Sequence, residues 1–205
     1  MSHKYLLFVF PLALALTAFQ GQESRPTSKP VIDAPPAMDM QKYMAEMMRL
    51  ATPGKEHKLL AAMAGEWEVS TKYRMAPDQP WQDGKATATY KSVMGGRWVI
   101  QDFKSEFGGM PFEGLQILGY DNMKKKYVSS WRDNFSTWAV HTEGTPSADG
   151  KTITLTGKMV DLLTPKGRTM KTVIKIVSDK EQQFEMYDTI DGKESLVMTQ
   201  ISKKK

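Results

Sequence analysis

The residues whose types could carry chemistry are few. Of three histidines in the chain, His3 falls in an expected signal peptide, which leaves His57 and His141. A metal centre built on histidines has too few of them. His57 stands at the start of a helical stretch, where capping or packing is the ordinary use of the ring. Zero cysteines exclude thiolate metal sites, disulfides and cysteine nucleophiles together. No Gly-x-Ser-x-Gly elbow occurs, so nothing points to a serine hydrolase. What remains for acid–base work is Asp133 with Glu143. By the two-residue period of a strand, Trp131 and Asp133 share one face, as do His141 and Glu143, and the two segments are expected to be antiparallel neighbours. A lumen holding Trp131, Asp133, His141 and Glu143 could orient a polar ligand or shift a pKa. The plain alternatives are a structural hydrogen-bond network and an outward polar stripe. With Trp67 and Tyr120, these four complete the candidate ligand-binding set. An enzyme acting through Asp133, His141 or Glu143 is the second reading, behind a binding protein.

Three further clusters have bland explanations beside the sharp ones. Met38, Met40, Met44, Met47 and Met48 offer thioethers, soft ligands for Cu(I). The plainer reading is an adaptable apolar face that would lie over a groove or barrel mouth as a lid. Lys124, Lys125 and Lys126 read as a solvated hairpin tip rather than an anion site. The five tryptophans, Trp67, Trp81, Trp98, Trp131 and Trp138, could build an aromatic pocket, although some of them must simply fill core.

The elements that would position these residues follow from pattern. Residues 1–21 have the layout of a cleaved signal peptide, with Tyr5 to Phe19 too short an apolar run for a membrane helix, so export to a periplasmic or secreted location without a stable membrane anchor is expected. Residues 22–37 hold Pro26, Pro30, Pro35 and Pro36 among polar residues and read as a disordered linker. Over 38–64, Met40, Tyr43, Met44, Met47 and Leu50 share a helix face; Pro53-Gly54 interrupts, and a second short helix carries Leu59, Leu60 and Met63. From 65 to 205, turn signals recur about every ten residues between runs rich in β-branched and aromatic residues. The expected strands are 66–75, 84–93, 98–107, 112–120, 126–133, 138–145, 152–159, 170–177, 183–189 and 196–202. A meander of about ten strands leaves two open edges unless it closes, so an antiparallel up-and-down β-barrel is expected. In 152–159, Ile153, Leu155, Gly157 and Met159 share a face opposite the threonines, whereas 98–107 mixes polar and apolar residues on both faces, as a partly polar lumen would require.

Against this background Gly65-Glu66-Trp67, directly after a short helix, resembles the start of lipocalins and other calycin barrels, whose Trp plugs the closed end. It is joined by Gly114 to Asp121, by Lys126-Tyr127-Val128-Ser129-Ser130-Trp131-Arg132-Asp133, by Glu143-Gly144 and by Asp149-Gly150-Lys151. In this order and spacing the segments resemble the DUF1579 family, uncharacterised bacterial proteins of calycin-like barrel form, over about Thr52 to Ser202. The resemblance implies an all-β, calycin-like fold and no established activity. Nitrobindin-like calycins hold haem through a histidine near the C-terminal strands, and this chain has none beyond His141. No cofactor is therefore expected.

The formal charge of +5 falls to about +4 without Lys4, and to about +1 if Lys203, Lys204 and Lys205 form a tail. A nucleic-acid partner is not expected, since phosphate binding needs a basic folded face. The functional expectation is an exported barrel holding a small apolar or amphipathic ligand. A cell-envelope interaction protein that uses the Met-rich helix stands as a further alternative.

Overall fold

Turn residues set the rhythm of this chain, and the strands between them close on themselves. The computed structural model describes residues 39–160 and 164–205; the expected signal peptide, linker and Met38 lie outside the described residues. The strands are β1 Gly65–Tyr73, β2 Gln82–Val93, β3 Trp98–Phe107, β4 Met110–Asp121, β5 Lys126–Asp133, β6 Val140–Gly144, β7 Thr152–Met159, β8 Arg168–Ser178, β9 Glu181–Ile190 and β10 Lys193–Lys204. Each pairs antiparallel with the next, and β1 pairs with β10 to seal the barrel. Closure removes both free edges, and with them the exposed row of unpaired backbone groups. Gly108 and Gly109, at φ 59° and 78°, let β3 fold straight back into β4.

The helical segment comes in two pieces, α1 Met40–Ala51 and α2 Lys55–Ala61, broken at Pro53-Gly54. Asp39 caps α1, its carboxylate accepting from the N–H groups of Gln41 and Lys42. Leu60 and Met63 of the second piece and its following turn are buried against Trp67, Tyr90, Val99, Leu118 and Tyr127. These residues lie at the start of β1, β3 and β5 and toward the end of β2 and β4, so α2 stoppers one end of the barrel. The Trp67 Nε1–H donates to the Met63 carbonyl (2.9 Å), which ties the stopper to the first strand.

Two expectations are overturned here. Lys203 and Lys204 are no tail: they are the last residues of β10, facing Glu68 and Trp67 across the β1 ladder. The Lys204 ammonium lies 5.5 Å from the Trp67 ring and donates to the Ala62 carbonyl (3.2 Å), so its charge belongs to the folded body. The Met-rich helix is no lid over a mouth. Its C-terminal carbonyls are held by Arg97 (to Ala51, 3.0 Å) and Asn122 (to Leu50, 2.7 Å), both in turns at the stoppered end. Met40, Met44, Met47 and Met48 stay exposed there.

Candidate functional site

Register fixes which side chains face the lumen. Trp131 pairs with Val140 and Ser129 with Thr142 across β5 and β6; Gln116 pairs with both Trp131 and Gln101. These residues, with Tyr90 and Phe103, surround a cavity of about 410 Å³ that opens at the end opposite α2. One wall is aromatic. Phe112 stacks on Trp131 (centroids 6.4 Å apart, planes 20° apart) and meets the Phe135 ring edge-on at 5.3 Å. The opposite wall carries Met159, Met170, Met186 and Met198, one from each of β7 to β10. Toward the stoppered end the lining turns polar but uncharged, through Gln101, Gln116, Ser129, Thr142, Thr172 and Gln182. The Gln116 amide donates to Ser129 Oγ (2.9 Å). An aromatic wall facing flexible thioethers accepts apolar surface of varied shape.

The backbone makes room for the aromatic wall at one glycine. Gly114 lies beneath the Trp131 indole, and a Cβ there would stand 2.2 Å from Trp131 Cη2. Asp133 holds the same indole from the side: it accepts from Trp131 Nε1 (2.9 Å) and from the Phe135 N–H (3.0 Å).

The six candidate residues do not form one site. Trp131 and Asp133 line the cavity. His141 pairs with Ser130 and Glu143 with Val128, on the opposite, outer face of the same strands. Glu143 accepts from Lys126 (2.6 Å) and Lys124 (3.2 Å), whose hydrogen bonds hold its carboxyl below the usual range. Asp133, His141 and Glu143 thus never meet, and the acid–base constellation dissolves into one lumen carboxylate and an outer polar stripe. Trp67 is the plug beneath the cavity, 6.2 Å from the Tyr90 ring. Tyr120 packs between His57 (5.8 Å) and Tyr127 (5.0 Å), behind the closing layer. His57 itself accepts the Gly54 N–H at Nδ1 (3.0 Å), capping α2. Trp138, expected to open a strand, sits in the loop before β6, at the mouth. Among the described residues, no group of three or more His, Asp or Glu is placed to hold a metal ion. The four lumen methionines and the deep glutamines were not foreseen, although the mixed face of β3 already carried Gln101 beside Val99 and Phe103.

The model of a protein of unknown function, DUF1579, matches residues 52–204. The chain belongs to the DUF1579 family. Its match takes in α2 and all ten strands of the barrel, and leaves α1 outside. Among solved structures, this DUF1579 chain is similar to Rv2717c from M. tuberculosis, with a TM-score of 0.55 and 11% identity over 75% of this chain and 99% of that one. The ywiB protein from Bacillus subtilis also matches, with a TM-score of 0.34 and 10% identity over 68% of this chain and 90% of that one. No curated protein matches in sequence. The likeness to Rv2717c supports the barrel fold alone. No helix among the described residues is long and apolar enough to cross a membrane.

The closing layer makes the DUF1579 barrel sensitive to alkali. Burial, then the charges of Glu56 and Tyr120, pushes the Tyr127 phenol up from 10.0 to about 12. Burial pushes the Tyr90 phenol up as well. Both phenols are neutral in the fold, so their contribution is whole below pH 10 and is lost as pH rises through about 12. Ultraviolet titration alongside circular dichroism is expected to show these tyrosines ionising together with unfolding. Ionisation of every tyrosine near pH 10, with the fold intact, would contradict this.

Proposed function

We propose that this protein is an exported, calycin-like barrel that binds a small apolar or amphipathic molecule. The observation that carries the reading is the cavity of about 410 Å³, open at one end and lined by aromatic rings on one side and methionines on the other. It falls within the ~300–1,000 Å³ range of small-molecule pockets, and its mixture of apolar walls with a few polar groups is their usual chemistry. Catalysis has less support, because His141 and Glu143 face away from the lumen.

Native mass spectrometry of protein from its own compartment tests the reading directly, by looking for a co-purifying small molecule. A substitution tests the location. Gly114→Val drives the Trp131 indole off its seat and into the cavity. Uptake of the neutral dye Nile red is expected to weaken at least tenfold, about 1.4 kcal/mol, while His141→Ala on the outer face leaves it unchanged. Equal effects from the two variants, in protein that still unfolds cooperatively, would place any binding elsewhere.

A second reading, that α1 is a contact surface for a cell-envelope partner, is favoured by the exposure of Met40, Tyr43, Met44 and Met47 along one face. Removing residues before Thr52 would then abolish partner capture.

A further inference from the structure

We infer that the cavity takes its ligand head-first and selects an uncharged head that both donates and accepts hydrogen bonds, a hydroxyl or a primary amide, over an ionised one. This rests on the binding reading above and adds orientation and head-group chemistry to it.

The inference starts from Gln182. This residue is 4% exposed, near the start of β9, and lines the deep part of the cavity. Among the described residues, neither its Nε2 nor its Oε1 finds a hydrogen bond of good geometry. The amide is turned toward the Tyr90 hydroxyl without completing a bond of good geometry to it. A buried amide left unmatched is costly, and such groups are uncommon in folded proteins. Here the side chain points into a space large enough for a ligand. A glutamine amide presents a donor and an acceptor side by side, so its best match is a group that offers both.

Its depth fixes the orientation. Gln182 pairs with Ser202, which pairs with Val69, one inward-facing position before the Trp67 plug. Phe112, Trp131, Phe135 and Trp138 are all at the other end, on the mouth side. A molecule with a polar head and an apolar body therefore buries its head at Gln182 and leaves its body between rings and thioethers.

Charge decides the class. Among the described residues, no lysine, arginine or histidine lines the cavity, and the one carboxylate that does, Asp133, stands at the mouth with both oxygens already accepting. In the deep part stands the Tyr90 phenol, which burial keeps neutral. At depth an anionic head would have lost its water and would find no counter-charge, after passing Asp133 on the way in. A cationic head would meet no deep anion either.

Displacement of Nile red by probes of one chain length tests this: dodecan-1-ol, dodecanamide, dodecanoate and dodecylammonium, at pH 8 with each probe kept below its micelle concentration. The alcohol and the amide are expected to bind at least tenfold tighter than either ion, and dodecanoate to gain affinity as pH is lowered toward the carboxylic range. Gln182→Met, close in shape, should weaken the alcohol and the amide at least fivefold while the ions stay weak, because the loss falls on the neutral head. Retained capture of Nile red by the variant shows that it is folded. Dodecanoate binding as tightly as the alcohol, or alcohol and amide affinities unchanged by Gln182→Met, overturns the head-group inference and leaves the binding reading standing. Failure of Nile red and every probe to bind the unaltered protein overturns both.

Discussion

Gly157→Ala is expected to cost about 3 kcal/mol or more of stability, and Gly144→Ala as much, which lowers the thermal midpoint by on the order of 10 °C. The two glycines occupy the seam between β6 and β7, where regular pairing is reduced to Glu143 opposite Thr156. A Cβ on Gly144 would stand 1.8 Å from the Thr154 carbonyl oxygen, and one on Gly157 would stand 2.1 Å from that of His141. Each glycine thus receives the backbone of the other strand where any side chain would be. The obstacle is main chain on both sides, so no rotamer change relieves it; one strand must move, and the barrel closes through that strand. Glycine at a tight barrel corner serves this purpose. Gly84→Ala on β2 is the control, since a Cβ there meets nothing nearer than Tyr73 Cε1 at 3.6 Å. Urea and thermal unfolding of the three variants measure the difference. A Gly157→Ala protein within 1 kcal/mol of Gly84→Ala would remove the seam argument.

The seam also shows how far the sequence could be read. Turn chemistry placed the strands: 98–107, 126–133 and 152–159 were expected with the bounds they have, and Ile153 and Leu155 are fully buried on the face opposite the threonines. The period of two tells which residues of a strand share a face, but not which faces of neighbouring strands agree. Between Asp133 and Val140 the chain makes a six-residue loop, and its parity sets Trp131 opposite Val140 instead of His141. That single step moves His141 and Glu143 out of the lumen and brings Val140 and Thr142 in. No local pattern encodes it, because it depends on how the loop packs Phe135 and Trp138 at the mouth. Gln182 was missed for a related reason: the ladder of β9 begins at Glu181, two residues before the expected strand, in a stretch with no apolar residue to announce it. The position of α1 was illegible too. Its apolar stripe specifies a helix, whereas its end of the barrel is chosen by Arg97 and Asn122, which bond to its terminal carbonyls.

Trp67→Ala is the other substitution expected to have a large effect, about 3–5 kcal/mol. The side chain is 2% exposed and belongs to three pieces of chain at once. Its ring packs with Tyr90 and the residues of α2; its Nε1–H binds the Met63 carbonyl; and the Lys204 ammonium of the last strand lies over its face. Truncation removes the packing and leaves a void where the stopper meets the first and last strands, the place where barrel closure is completed. Trp67→Phe separates the contributions: it keeps most of the ring and loses the Nε1 bond, at about 1–2 kcal/mol. As a plug, Trp67 sets stability and the seal of the closed end, so Trp67→Phe is expected to unfold at lower urea while binding Nile red as the unaltered protein does. As part of a ligand wall it would do the reverse, losing the dye with little change in unfolding. Denaturation curves and dye titrations on the same samples distinguish the two outcomes. The geometry favours the plug, because the cavity floor lies at Tyr90, Gln101 and Gln182, with Trp67 behind it.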